Sequence, residues 1–328
     1  MIWQSGLPAH VDIYEVGPRD GLQNEMRALS TRDKARLIQA LAAAGEARIE
    51  ATSFVHPKWI PQLSDAEELL KQVGHPAGVT LSALVPNLKG LERAKTAGLE
   101  EAAVFMSVTE THSKKNINKT VAEALNASQE TSDAARGLGL RVRGYLSCVW
   151  GCPYEGSVEL SRVVDICRQL VEYGVYQLSL GDTIGVGTPA QTARILEALL
   201  KHIPVEKLAL HLHDTRGTAL ANALVGLTFG ITTFDASVGG LGGCPYAPGA
   251  AGNLATEDLV FMLHGMGIHT GINLEKLVEA GELAQELIGR KLSGKYLQAA
   301  LGEREKKAAR QRAAQAAVAS TASVPAGT

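Results

Sequence analysis

The sequence predicts a (β/α)8 TIM barrel with an additional C-terminal helical segment, and three observations carry that prediction. Eight short apolar runs of strand character alternate with longer stretches of helical period, the pattern of a parallel sheet built from β-α units. Arg19, Asp20, Glu50, Asn87, Ser107, Cys148, Asp182, His211 and His213 all stand at or just past the ends of these runs. Only a closed barrel makes such ends converge on one mouth. No G-x-G-x-x-G follows the first run, which argues against an open dinucleotide-binding sheet.

Residues 11–16 (V-D-I-Y-E-V) form the first strand, stopped by Gly17-Pro18-Arg19-Asp20-Gly21, so opposite charges sit at a strand end. Ser30 or Thr31 opens a helix whose Leu37, Ile38, Leu41 and Ala44 make one stripe, with Gly45 as its stop. The second strand, 47–52, holds Glu50. Ser64-Asp65-Ala66-Glu67 reads as a capping box for the next helix. Residues 79–85 are the third strand, 88–97 a helix and 101–107 the fourth strand. A polar loop over 109–119 then leads to a long helix over 120–136. The fifth strand, 140–148, ends near Gly151-Cys152-Pro153-Tyr154, and a helix over 157–173 precedes the sixth strand, 175–180, closed by Gly181-Asp182-Thr183. Thr188-Pro189-Ala190-Gln191 is a capping box with proline at the first helical position, so another helix runs to about His202. The seventh strand carries L-A-L-H-L-H-D-T (208–215), a helix covers 217–229, and 231–237 is the eighth strand. Thr256 is read as the cap of an acidic first turn. The amphipathic helix over 274–288 extends past the barrel, either covering part of it or meeting a second subunit. Residues 1–298 are taken as the catalytic domain. Residues 299–328, Ala-rich with the basic cluster E-R-E-K-K-A-A-R-Q-R, are taken as a disordered, solvated tail, because almost nothing in them is large and apolar.

With 328 residues and 45% hydrophobic content the chain can bury a sizeable core. A formal charge of −2 gives no field that would gather nucleic acid or anionic lipid. No run approaches the roughly 18 apolar residues of a membrane span. Only about ten residues precede the first strand, too few for a targeting segment. The four cysteines (Cys148, Cys152, Cys167 and Cys244) include no C-x-x-C and are too sparse for a disulfide scaffold. The expectation is a cytoplasmic protein with free thiols and neither nucleic acid nor membrane as partner.

His211 and His213 carry the chemistry. On a strand the period of two sends both imidazoles to one face, although an isolated H-x-H also recurs by chance. With Asp20, and with Asn253 as a neutral oxygen donor, they suit a hard six-coordinate divalent cation, Mg²⁺ or Mn²⁺. Arg19 is a permanent cation placed to stabilise an oxyanion such as an enolate, or to pair with Glu50. Glu50, on a buried strand, needs a partner, and holding Arg19 is its preferred job. Asp182 is read as a supporting acid or a proton-transfer group, and Asp214, facing away from the histidines, as structural. Cys244 lies in a stretch (239–249) of five glycines and two prolines, which points to a sharply bent loop over the mouth. Its thiol is a candidate general acid or base; a small buried thiol is the alternative.

Eight segments together resemble the 3-hydroxy-3-methylglutaryl-CoA lyases, within a wider family of barrel metallolyases: E-V-G-P-R-D-G-L-Q-N-E (15–25), I-E-A-T-S-F-V (49–55), K-N-I-N (115–118), G-C-P-Y-E-G (151–156), S-L-G-D-T-I-G-V-G-T-P (179–189), H-L-H-D-T (211–215), and G-L-G-G-C-P-Y-A with G-N-L-A-T-E-D (240–247, 252–258). The resemblance spans about residues 11–287. It implies cleavage of the thioester to acetyl-CoA and acetoacetate, a step of leucine degradation and ketone-body chemistry. It implies a divalent cation on Asp20, His211, His213 and Asn253, Arg19 on the enolate, and Cys244 in proton transfer. It also implies an acyl-CoA substrate and a homodimer. Lys115, Asn116 and Ser179 are the expected substrate contacts, a solvated charge run being the alternative for the basic loop 114–116. His56, Trp150 and Arg216 depart from the family's pattern, and allow the alternative of a longer 3-hydroxy-3-alkylglutaryl-CoA. A related aldolase or condensing enzyme on the same scaffold is the other.

Overall fold

Each apolar run becomes one stave of a closed barrel in the computed structural model, which describes residues 6–242 and 252–322. The order is β1 (Asp12–Glu15), α1 (Thr31–Ala44), β2 (Arg48–Ser53), α2 (Ala66–Val73), β3 (Thr80–Leu84), α3 (Leu88–Thr96), β4 (Glu101–Ser107), α4 (Glu110–Ile117), α5 (Val121–Gly137), β5 (Arg141–Ser147), α6 (Leu160–Glu172), β6 (Gln177–Asp182), α7 (Pro189–Leu199), β7 (Leu208–Leu212), α8 (Ala219–Thr228), β8 (Thr233–Ala236), α9 (Thr256–Gly265), α10 (Leu274–Ile288) and α11 (Lys295–Ala322). All eight strands are parallel and pair in sequence order, and β1 closes on β8 with Tyr14 opposite Asp235. The TIM barrel expected from the sequence is the fold observed.

Outward strand residues such as Ile49 and Ala51 bury against helix stripes such as Leu37, Ile38 and Leu41 of α1. Each such leucine contributes about 1.5–3 kcal/mol by leaving water. The barrel interior is built differently. Tyr14 donates to Glu101 at 2.5 Å with the Ser82 hydroxyl 2.6 Å from the same phenol oxygen, Arg143 pairs with Asp235, and Gln177 bridges Arg143 to Thr233. Low dielectric makes these buried groups costly unless each has a partner, so the interior is a hydrogen-bonded stack.

Several local expectations are corrected. The polar loop over 109–119 is in fact α4, followed by left-handed Asn118; only His112 and Ser113 are buried on it, so its composition hides the helix. Ser64 makes no capping box, because Asp65 occupies the N-cap position and its carboxylate instead accepts from Thr31 and Lys34. Thr256 is the first residue inside α9 rather than its cap, and its hydroxyl donates to Glu15.

The tail expected to be disordered from residue 299 is helical within α11, as far as residue 322. Asp258 accepts from the first two backbone N–H groups, of Lys295 and Tyr296, and Leu297 is fully buried. Once anchored there, a sequence rich in Ala, Lys, Arg and Glu continues by propensity alone. Solvation holds as expected, since residues 303–315 are exposed. The apolar face of α10 is spent within the chain, with Leu277, Val278 and Ala280 buried and α1 packed along it. Among the described residues no helix is long and apolar enough to cross a membrane.

Candidate active site

The mouth opens where β1 ends. Three successive amides, of Arg19, Asp20 and Gly21, turn back onto the Val16 carbonyl, making Gly17–Gly21 a single π-helical turn. Gly17 is required there, because a Cβ would meet Glu15 Oε1 at 2.6 Å. The turn aims both charged side chains inward. Arg19 Nε donates to Glu50 Oε2 at 2.6 Å and Nη1 to Asp20 Oδ1 at 2.6 Å, with Tyr145 beneath the guanidinium at 5.2 Å. Burial pushes the Glu50 carboxyl upward against the pull of Arg19. Glu50 thus holds Arg19, as the sequence suggests.

From β7, His211 and His213 meet at 3.3 Å between their Nε2 atoms, and His211 Nε2 lies 3.9 Å from Asp20 Oδ2. One donor atom from each of Asp20, His211 and His213 lies within 4.8 Å of the others, a spacing that fits one cation. The set of two imidazoles and a carboxylate suits a divalent ion with open positions. An isolated bridge pairs His213 with Asn253, whose amide nitrogen sits 2.8 Å from Asp20 Oδ2. Gly242, at φ 98°, packs where a Cβ would lie 2.9 Å from that nitrogen.

Electrostatics follow from crowding. Burial would raise Asp20, but Arg19, the two imidazoles and the Asn253 bond hold it well below the usual carboxylate range. Burial and the neighbouring His211 bring His213 down to about 4. Burial also pulls on His211, yet the Asp235 bond and the charges of Asp235 and Asp20 leave it above its ordinary value.

The remaining expected residues divide. Asn116 lines the cavity of about 660 Å³ that opens at this mouth, and so does Ser179, whose hydroxyl is committed to Asp235 at 2.6 Å. Lys115 is not a lining residue, its ammonium resting 5.0 Å from the Tyr154 ring. Asp182 is turned away: its carboxylate accepts from the amides of Val186 and Gly187, tying the loop after β6. Asp214 accepts from Ala219 N and Lys295, a structural use as expected. Cys244 lies outside the described residues. Of the three departures only His56 lines the cavity, while Trp150 is buried and bonded to Thr192 and Arg216 is bonded to the carbonyls of Ile184 and Gly185.

Asp235, Arg143 and Tyr145 also stand at the site and are not among the residues expected from the sequence. The signal was present: Arg143 and Tyr145 on one apolar strand, and Thr233 and Asp235 on another, stand at alternate positions and so share the face turned to the barrel interior.

Comparison with known proteins then decides the family, for the HMGL-like family model matches residues 10–284. The chain belongs to the HMGL-like family. It is 52% identical to the hydroxymethylglutaryl-CoA lyase of Bacillus subtilis, over 89% of this chain and 97% of that one. The crystal structure of the Bacillus subtilis HMG-CoA lyase superposes with a TM-score of 0.88, covering 89% of this chain and 98% of the other. An HMG-CoA lyase from Acinetobacter baumannii, in complex with coenzyme A and 3-methylmalate, is 38% identical with a TM-score of 0.84, over 88% and 95% of the two chains. The HMGL-like match runs from before β1 through most of α10 and stops short of α11.

Proposed function

We infer that the protein is a carbon–carbon lyase that cleaves 3-hydroxy-3-methylglutaryl-CoA to acetyl-CoA and acetoacetate. One observation carries this reading: Asp20, His211 and His213 gather beside Arg19 at the mouth of a chain 52% identical to a hydroxymethylglutaryl-CoA lyase. Asp20, His211, His213 and Asn253 would hold one divalent ion, Mg²⁺ or Mn²⁺, which when bound supplies Lewis acidity to the substrate's tertiary hydroxyl and adjacent carboxylate.

The protein's own groups account for the rest. Cleavage begins with loss of the tertiary hydroxyl proton, for which Asp20 and the two histidines are the candidate bases. As the C2–C3 bond breaks, its electron pair passes to the thioester as an enolate. Arg19 is fixed by Glu50 and Asp20, with three of its five N–H groups uncommitted to described residues, so it can meet that charge without reorganising. Cys244 is proposed to return a proton to the enolate carbon. The Tyr145 hydroxyl, buried at the cavity with no partner among the described residues, is available to a substrate oxygen. Asn116 and Ser179 are proposed to meet the acyl-CoA, with Lys115 nearby. The coenzyme A bound by the Acinetobacter baumannii lyase supports an acyl-CoA substrate.

Acetoacetate should form when the purified protein is mixed with Mg²⁺ and this thioester, and should cease with EDTA. No acetoacetate with metal present would overturn the reading. Cys244→Ala should cut turnover strongly and leave metal content unchanged. A cytoplasmic location is proposed on the free thiols of Cys148, Cys152 and Cys167. A homodimer is proposed on the family alone, since α10 is occupied within the chain.

A further inference from the structure

We propose that Asp235, clamped by Arg143, is the positioning residue that commits His211 to bind a cation through Nε2, making the two imidazoles of the site unequal. The proposal deepens the cation reading given above and rests on it. The barrel register sets the pair up. Asp235 of β8 is the direct neighbour of His211 on β7, and both side chains face the interior. His211 Nδ1 lies 3.1 Å from Asp235 Oδ2.

Every other group around that carboxylate donates to it. Arg143 Nη2 reaches Oδ1 at 2.5 Å and Nη1 reaches Oδ2 at 3.2 Å, while the Ser179 hydroxyl donates to Oδ2 at 2.6 Å. A guanidinium has no acceptor to offer, so a fork bound this way holds Asp235 as an anion that only accepts. His211 must then carry its proton on Nδ1. The bare lone pair falls on Nε2, the atom that faces His213 and Asp20.

Arg143 cannot leave this arrangement. Its side chain is fully buried, stacked 4.1 Å from the Tyr14 ring centroid and 4.9 Å from that of Tyr145, with Nε bonded to Gln177. A carboxylate behind a ligating imidazole fixes the ring's tautomer and orientation and raises its basicity as a ligand. His213 has no counterpart, because its Nδ1 is buried with no partner among the described residues. Asp235 therefore stiffens one ligand of the pair and leaves the other to be set by the ion.

The tautomer is read on the wild-type protein, free of metal at pH 8, by two-bond ¹H–¹⁵N correlation across its nine histidines. The His211 signals are identified by their absence in His211→Gln. The expected result is a proton on Nδ1; a proton on Nε2, or a mixture, overturns the proposal. Asp235→Asn should lower Mn²⁺ affinity, titrated calorimetrically without substrate, by about 10–100-fold. A folded Asp235→Asn that binds Mn²⁺ as the wild type does would also overturn it. If that variant does not fold, the wild-type tautomer decides alone. A wild-type protein that bound no Mn²⁺ would end the cation reading itself, an outcome separate from the tautomer.

Discussion

Arg19 shows how one side chain is made into an instrument. Its 2.6 Å bonds to Glu50 and Asp20 and its seat over Tyr145 remove the rotamer freedom a free arginine would lose on meeting a substrate. Lysine keeps the charge but has no planar fork to satisfy two carboxylates and an oxyanion together. Arg19→Lys should therefore lower kcat by about 10²–10³ while KM moves little, measured by steady-state acetoacetate release. An unchanged kcat would mean the guanidinium acts only in structure. Arg19 and Glu50 were legible as partners because an unpaired charge on a buried strand is costly. The Arg143–Asp235 pair follows from the same logic, but its members stand 92 residues apart, and nothing short of the barrel's closure says which buried charges meet.

Helix starts separate what a motif promises from what it delivers. Thr188 and Gln191 form a complete capping box on α7, each side chain bonded to the other residue's backbone N–H. Ser64 and Glu67 have the same spelling, yet Asp65 takes the N-cap and Glu67 pairs with Arg93. Thr188→Ala should cost about 1 kcal/mol, and Ser64→Ala should stay within about 0.5 kcal/mol, in urea unfolding. Equal losses would mean the α7 box contributes nothing of its own. The far part of α11 offers a second test. The helix begins beside the mouth, where Lys295 meets Asp214, and runs back along α10 to Arg304, which meets Glu282. Exposed pairs of that kind are worth about 0–1 kcal/mol. Removing residues 305–328 should leave both melting temperature and turnover as they were, by calorimetry and assay; a fall in turnover would give the helix a role at the mouth.

Across the whole molecule, three buried carboxyls behind the barrel wall contribute to the response to pH, in the same direction as the raised Glu50 and Asp182. Glu15 accepts from Gly17 N, Val238 N and Thr256, and Glu257 accepts from Gly239 N, so both hold the backbone on either side of the mouth. Neither Glu46 oxygen has a partner among the described residues. Burial pushes Glu15 to about 7 and Glu257 to about 8, and drives Glu46 well above its usual value. The folded chain keeps protons that the unfolded chain releases above the usual 4.5, so this contribution is full below that pH. It is lost as pH rises through 7 and 8. Melting temperature should fall between pH 5 and 9, and Glu46→Gln, which has no proton to lose, should fall less; parallel curves would remove Glu46 from the explanation. The strands, most helices and the cluster at the mouth were readable in the chain. The helix α4 and the course of α11 were not, because one hides its buried residues among polar ones and the other depends on an anchor supplied by Asp258.

The barrel, the family resemblance and the residues at the strand ends could be read along the chain, because side-chain period and strand-end chemistry are local and repeat eight times. That Asp182 ties a loop, that Ser179 serves Asp235, and that His211 and His213 differ in what stands behind them emerges from the folded barrel. The reason is physical: those roles belong to contacts between strands, and the partner of a buried polar atom is fixed by register and closure, which no single segment contains.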